Sequence, residues 1–140
     1  MITKNISREK ASSISISERQ TKALETAPEI IDLNAELIEH PQSTFIIQST
    51  GYSMINAFIP PKARLVVDRS ITAKNGDIVL AMLNGELTVR YLKKNPYKCW
   101  LVPANSKFKE IEISPEMDMQ ICGVVTSIIT DARNVKSGMM

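Results

Sequence analysis

Ser53 stands in a local sequence that could make its hydroxyl a nucleophile. It follows Gly51 in the segment QSTGYSMINAFIPP, where a β-type run gives way to a helical turn. Such a turn exposes a hydroxyl and brings successive backbone N–H groups near it, where they can hold an oxyanion. A serine in this position also commonly does no more than cap the turn. The segment alone therefore leaves two alternatives, a nucleophile and a turn cap.

The strand-like segment NGELTVRYLKK carries a cation at its centre. Strand alternation places Leu87, Val89 and Tyr91 on one face and Arg90 on the other. An unpaired charge is costly to bury. Spacing alone therefore favours an edge strand in which Arg90 reaches solvent and its stem covers apolar surface. The other interpretation is that Arg90 faces a functional site.

These two segments belong to a chain that is predicted to be mainly β. The β-rich runs are 44–50, 63–68, 77–83, 86–92, 98–104 and 119–129. Turn signals separate them, and Asn84-Gly85 is the strongest because this pair favours the left-handed torsions of a type I′ hairpin. The segment IDLNAELIEHP predicts a short helix or helical turn, capped by Asp32 and ended by Pro41. We expect a curved antiparallel sheet or partly closed barrel.

The order of polar and apolar segments predicts one folded domain with two tails. A chain of 140 residues suits a single domain. We expect a flexible N-terminal arm over residues 1–27, a β domain over 28–132 and a C-terminal tail over 133–140. The arm is richer in Lys and Arg than in Asp and Glu, which is typical of a solvated tail. It is also compatible with a segment that contacts an acidic partner or a nucleoprotein filament.

The net charge, the few Cys and His residues and the length of the apolar runs argue against several classes of protein. A net charge of +2 argues against a dedicated nucleic-acid binder. Cys99 and Cys122 lie in apolar stretches, which indicates buried thiols in a reducing compartment. His40 is the only histidine and no Cys/His cluster exists, so we expect no metal and no cofactor. Because no apolar run has the length of a membrane span or a signal segment, we expect a cytoplasmic protein.

Taken together, the segments resemble the UmuD/LexA family of self-cleaving serine proteases. The resemblance extends from about Ile31 to Ile129. It rests on IDLNAELIEHPQSTFIIQSTG, GYSM, LVVDRSITAKNGDIVLAMLNGELTVRYL, LVPANSKF and ICGVV. The short arm, with no helix-turn-helix before it, favours the UmuD branch over the LexA repressors.

The resemblance implies a fold of the LexA C-terminal-domain type, a mechanism and a set of partners. Ser53 is then the nucleophile that attacks a peptide bond in the arm of its own chain or of a dimer partner. A lysine amine, kept neutral by burial, takes the proton of the serine. In UmuD, a RecA filament on single-stranded DNA promotes this cleavage. The shortened dimer then joins UmuC as a translesion DNA polymerase in the SOS response.

This sequence departs from the family pattern at the base and at the cut site. Arg90 occupies the position of the lysine, and a guanidinium with a pKa above about 12 stays protonated. Family cleavage sites usually pair Cys or Ala with Gly, whereas no glycine precedes Gly51. The expected bond, Ser17-Glu18, is therefore a poor match.

Two smaller features also bear on the site. Lys93 and Lys94 are close to the base position in sequence but fall past the strand residue that points at the serine. The family commonly has a Gly-Asp turn where this chain has Lys62-Ala63 after two prolines, which predicts a stiffer turn.

We therefore expect a UmuD-like SOS-response protein, an accessory subunit or regulator of an error-prone translesion polymerase, with self-cleavage by Ser53 impaired or absent. An active self-cleaving protease of the UmuD type and the dimerisation domain of a phage-type repressor are the alternatives. The expected partners are a second copy or another UmuD-type protein, a UmuC-type polymerase and the RecA filament. We expect neither membrane binding nor direct sequence-specific DNA binding.

Overall fold

The computed structural model describes residues 30–135 of the chain. The chain divides into two compact units, Met1–Glu39 and His40–Met140. The predicted arm, residues 1–27, lies outside the described residues, and its boundary stays a prediction.

In the first unit the described residues form one short helix, α1, which spans Leu33–Leu37. Asp32 caps it, because one carboxylate oxygen accepts the N–H of Asn34 at 3.0 Å. The helix and the cap predicted from the sequence are confirmed. No helix within residues 30–135 has the length and apolar character needed to cross a membrane.

The strands among the described residues of the second unit, 40–135, form one open antiparallel sheet of seven strands. The strands are β1 Thr44–Gln48, β2 Arg64–Asp68, β3 Ile78–Leu83, β4 Glu86–Lys94, β5 Cys99–Val102, β6 Ile111–Glu112 and β7 Met119–Ile129. They lie in the order β1-β2-β7-β3-β4-β5-β6, and the two outer strands do not pair to close a barrel. The mainly β, antiparallel fold predicted from the sequence is confirmed.

Side chains of the central strands alternate between two buried clusters. On β3, Leu80 packs with Met54 and Leu65, whereas Val79 packs with Leu101 on the other side. Successive strand residues point to opposite faces of a sheet. Both faces of the central strands are therefore covered, which explains why β2 and β3 are nearly continuous apolar runs in the sequence.

The hairpin between β3 and β4 fixes the register of the strand that carries Arg90. Asn84 and Gly85 have φ values of 49° and 88°, as the predicted type I′ turn requires. The side-chain oxygen of Asn84 accepts the N–H of Asp118 at 3.0 Å, which holds the turn in place. In this register Arg90 lies opposite Val79.

Candidate active site

Ser53 lies on a tight turn between β1 and β2, just before the 3₁₀ turn Ile55–Ala57. Gly51 opens this segment with a φ of 76°, a left-handed conformation that favours glycine. The next residue after the serine, Met54, is buried in the core and anchors the turn. Ser53 itself is half-buried and lines a groove.

Hydrogen bonds tie the serine turn to the segment that follows β5. The N–H of Ala104 donates to the carbonyl of Ser53, and the N–H of Asn56 donates to the carbonyl of Ala104, both at 2.8 Å. Nδ2 of Asn105 donates to the carbonyl of Tyr52 at 2.8 Å. Sequence reasoning singled out LVPANSKF as a landmark but missed this positioning role, because two of the three bonds join backbone groups and the third depends on the fold to bring Asn105 to Tyr52.

At the serine itself, the turn leaves the backbone N–H groups of Ser53 and Met54 without an acceptor among residues 30–135. The N–H groups of Ile55, Asn56 and Ala57, by contrast, all donate to carbonyls. Free backbone donors beside a nucleophile can stabilise a developing oxyanion, so those of Ser53 and Met54 are the candidates for the oxyanion donors expected from the sequence.

Arg90 reaches Ser53 from β4. Its Nη1 donates to Ser53 Oγ at 2.8 Å and to the carbonyl of Val89 at 2.7 Å. The side chain is half-buried, so the interpretation in which Arg90 extends into solvent is wrong. The structure thus brings together the two side chains expected to form the site.

Among residues 30–135, no carboxylate pairs with the guanidinium of Arg90. Burial lowers the pKa of Arg90, but a guanidinium keeps its proton in proteins. Its Nε is shielded from solvent and has no acceptor among the residues that the structure describes. Among residues 30–135 the ion pairs join other cations and carboxylates. Arg90 therefore presents a fixed positive charge to Ser53 and donates to its oxygen rather than accepting its proton.

The groove that contains both side chains has a volume of about 360 Å³. Its walls are formed mainly by residues 47–54, which include the serine turn, and by residues 87–90 of β4, with Phe108 at the side. Ser17 and Glu18, the expected cut site, lie outside the described residues.

Comparison with known proteins identifies the family. The model of the Peptidase S24-like family matches residues 11–126. The chain belongs to this family. The resemblance to LexA and UmuD proteins predicted from the sequence is thereby confirmed.

Several S24-like proteins are similar in sequence to this chain over most of its length. Protein MucA of Salmonella typhimurium is 38% identical over 97 residues, which cover 69% of this chain and 66% of MucA. Protein ImpA of the same organism is 35% identical over 114 residues, covering 81% of this chain and 77% of ImpA. The LexA repressor of Pseudothermotoga lettingae is 36% identical over 109 residues, covering 77% of this chain and 54% of that repressor. The chain thus spans just under two thirds of MucA and about half of this LexA repressor.

The lysines nearest to position 90 in this S24-like chain are engaged elsewhere. Nζ of Lys93 lies 3.3 Å from both carboxylate oxygens of Glu110 and 4.6 Å from the centre of the Trp100 ring. Nζ of Lys94 donates to the carbonyl of Ala73 at 3.4 Å. Neither arrangement directs an amine toward the serine, in line with the strand positions expected from the sequence.

The turn after Pro60 and Pro61 is strained at Lys62. Lys62 has a φ of 74°, in the left-handed region, where a non-glycine residue costs roughly 1–2 kcal/mol. Its N–H donates to the carbonyl of Ser49 at 2.8 Å, and the N–H of Ala63 donates to the carbonyl of Pro60 at 3.2 Å. These hydrogen bonds hold Lys62 in the conformation that a glycine would adopt without strain.

Proposed function

We propose that this protein is a UmuD-like component of the SOS response in which self-cleavage is impaired or absent. It acts as an accessory subunit or regulator of an error-prone translesion DNA polymerase. Its membership of the S24-like family and its similarity to MucA and ImpA support this branch of the family.

The observation that carries the proposal is the hydrogen bond from Arg90 Nη1 to Ser53 Oγ. A serine hydroxyl is a weak nucleophile unless a neighbouring base removes its proton. A buried lysine can lose its own proton near neutral pH and serve as that base, whereas a guanidinium cannot. With Arg90 in this position, the hydroxyl is oriented but not activated.

The sequence of the arm supports the same proposal. No glycine occurs before Gly51, so the arm lacks the small dipeptide that family members cut. At the expected position, Glu18 follows the bond and would place a carboxylate where the family has no side chain. By comparison with the family pattern, the base and the cut site thus both differ in this chain, although the serine turn itself is formed.

The proposed partners are those that the resemblance to UmuD implies. We infer that the protein forms a homodimer, or a heterodimer with another UmuD-type protein, and that it binds a UmuC-type polymerase in the cytoplasm. A RecA filament on single-stranded DNA is the proposed site of recruitment. Loss of cleavage would leave the dimer in its full-length form.

The first test measures the mass of the intact protein. The purified chain is incubated at neutral pH and at about pH 10, with and without RecA filament, beside a UmuD-type protein that cleaves itself. We expect the mass of this chain to stay unchanged while the comparison protein is shortened. A discrete N-terminal truncation that Ser53→Ala abolishes would contradict the proposal.

The second test measures whether the chain binds the proposed partner proteins. We expect a tagged chain to co-purify with a UmuC-type polymerase, or with another UmuD-type protein, when the two are produced together. A monomer that retains neither partner would contradict the proposed role, whatever the outcome of the cleavage assay.

A further inference from the structure

The charge of Arg90 is unbalanced within its groove. Among the described residues that line the groove, Arg90 alone is charged. Its Nη1 donates to two neutral oxygens, on Ser53 and Val89, and its buried Nε has no acceptor within the described part of the chain. Among the described residues this half-buried cation has only neutral partners and one unused donor. Such an arrangement costs free energy, because the charge and the donor have lost water without gaining a charged or hydrogen-bonding partner. An anion entering the groove would supply that partner.

One wall of the groove is an unpaired strand edge. Strand β5 pairs with β4 only from Tyr91 to Lys94. Within the part of the chain that the structure describes, residues 86–90 therefore have a strand neighbour on one side only, namely β3. An open edge of this kind can accept an extended peptide as an additional strand, through backbone hydrogen bonds.

The groove also offers apolar surface at its rim. Tyr52, Leu87 and Phe108 line it and are 59%, 57% and 43% exposed, respectively. Exposed aromatic and aliphatic side chains around a cleft are typical of peptide-binding surfaces. They would contact alternate side chains of an extended peptide, because such a peptide directs every second side chain to the same face.

We propose that this groove binds an extended peptide of a partner protein and that Arg90 selects peptides with an acidic side chain. The inference rests on the proposed function in one respect, since Arg90 must act as a fixed cation and not as a base. The peptide lies along residues 86–90 of β4 and directs a Glu or Asp carboxylate at the guanidinium.

The chemistry of the guanidinium favours a carboxylate over a neutral side chain. Arginine binds carboxylates through paired N–H donors, and such charge-assisted hydrogen bonds are stronger than neutral ones. A carboxylate that draws the guanidinium of Arg90 toward the groove neutralises its charge and gives Nε an acceptor. A glutamine in the same place offers one neutral oxygen and leaves the charge uncompensated.

The test compares three labelled peptides that differ at one position. The peptides Thr-Val-Glu-Val-Thr, Thr-Val-Gln-Val-Thr and Thr-Val-Lys-Val-Thr are titrated with the full chain, and binding is followed by fluorescence anisotropy at low salt. We expect the Glu peptide to bind about tenfold more tightly than the Gln peptide, and the Lys peptide to bind most weakly. Equal affinity for the three peptides, or no binding of any, would overturn the proposal without any variant.

Two variants test the role of Arg90. Arg90→Met keeps an unbranched apolar stem and should remove the preference for the Glu peptide. Lys94→Met removes a cation from the same strand outside the groove and should leave the preference intact. A preference that survives Arg90→Met, or that Lys94→Met also removes, would show that general charge attraction is responsible.

The incubated peptide samples also show whether a failure concerns this inference or the proposed function. The mass of each peptide is recorded after incubation with the chain. Cut peptides would contradict the proposed loss of protease activity, whereas intact peptides bound without regard to charge would contradict only the selection by Arg90.

Discussion

Arg90 Nη1 lies 2.8 Å from Ser53 Oγ, although the two residues are 37 positions apart in the chain. Two separate structural features bring these two side chains together. Hydrogen bonds from the segment after β5 hold the serine turn, and the Asn-Gly hairpin fixes the register of β4. The identity of the side chain at position 90 therefore decides whether the hydroxyl meets a base or a permanent cation.

We expect Arg90→Lys to restore self-cleavage when the chain also carries a suitable cut site, made by Ser17→Ala and Glu18→Gly. The half-buried position disfavours the charged form of an amine and lowers its pKa. A general base typically contributes about 10²–10⁴-fold in rate, so cleavage should accelerate at least about 100-fold and should increase with pH. Intact mass recorded against time between neutral pH and about pH 10 measures the rate.

The matched controls are the same chain with Arg90 retained and the same chain with Ser53→Ala added. Both should stay intact. If Arg90→Lys gives no gain over the Arg90 chain, Arg90 does not cause the loss of activity. Cleavage that persists in Ser53→Ala would mean that another group attacks the bond.

The pairing of Ser53 and Arg90 was predicted from the resemblance to the UmuD/LexA family, whereas strand spacing alone favoured an Arg90 that reaches solvent; the local signals predicted only the hairpin that carries Arg90. Asn84-Gly85 sets the hairpin, and alternation along β4 then determines which side chains share a face. The two-residue strand Ile111–Glu112 was missed, since a pair of residues shows no alternation. The shift in register at Val66 was also missed, because a bulge depends on the partner strand.

The burial of Asp68 could not be predicted from the sequence either. An aspartate at the end of an apolar run, as in VVDRS, usually begins a turn in solvent. Here Asp68 is only 2% exposed. Two of its partners, His40 and Ser43, precede it by 28 and 25 residues. Their proximity follows from the pairing of β1 with β2, which a linear pattern does not show.

We expect the folded protein to lose stability in acid because of Asp68. Its Oδ2 lies 2.5 Å from Nδ1 of His40, and its Oδ1 accepts the hydroxyl of Ser70 at 2.7 Å. These hydrogen bonds, that of His40 first, lower the pKa of Asp68 from 3.8 to about 2. A carboxyl whose pKa is lower in the folded state stabilises the fold above its unfolded pKa. That contribution is lost as the pH falls from about 4 through 2.

Asp68→Asn is the matched variant for this prediction. It should be less stable than the unaltered chain at neutral pH and should lose less additional stability between about pH 4 and pH 2. Urea unfolding followed by circular dichroism at each pH measures both effects. If the two chains lose stability in parallel over this interval, other carboxylates cause the acid sensitivity.

We expect Gly123→Ala to destabilise the protein by about 1–3 kcal/mol, the range typical of overpacking a core. A Cβ at this position would lie 2.6 Å from Cγ1 of Val67 and 3.1 Å from the carbonyl oxygen of Asp68. Both atoms belong to β2, which pairs with β7 at this point, so neither can move freely. Urea unfolding measures the change in the free energy of unfolding.

A double-mutant cycle with Val67→Ala separates steric overlap from a general loss of strand stability. Removing Cγ1 relieves the shorter of the two contacts, so the double variant should lose less stability than the sum of the single variants. Additive losses would mean that Gly123→Ala acts through something other than contact with Val67.

We expect Lys62→Gly to stabilise the fold by about 0.5–1 kcal/mol. The left-handed φ of 74° at Lys62 costs a non-glycine residue roughly 1–2 kcal/mol, and the greater freedom of glycine in the unfolded chain offsets part of that gain. Lys62→Ala removes the amine but keeps the Cβ that causes the strain, so it should give no comparable gain. Equal stabilisation by both variants in urea unfolding would assign the effect to the lysine side chain rather than to the backbone of the turn.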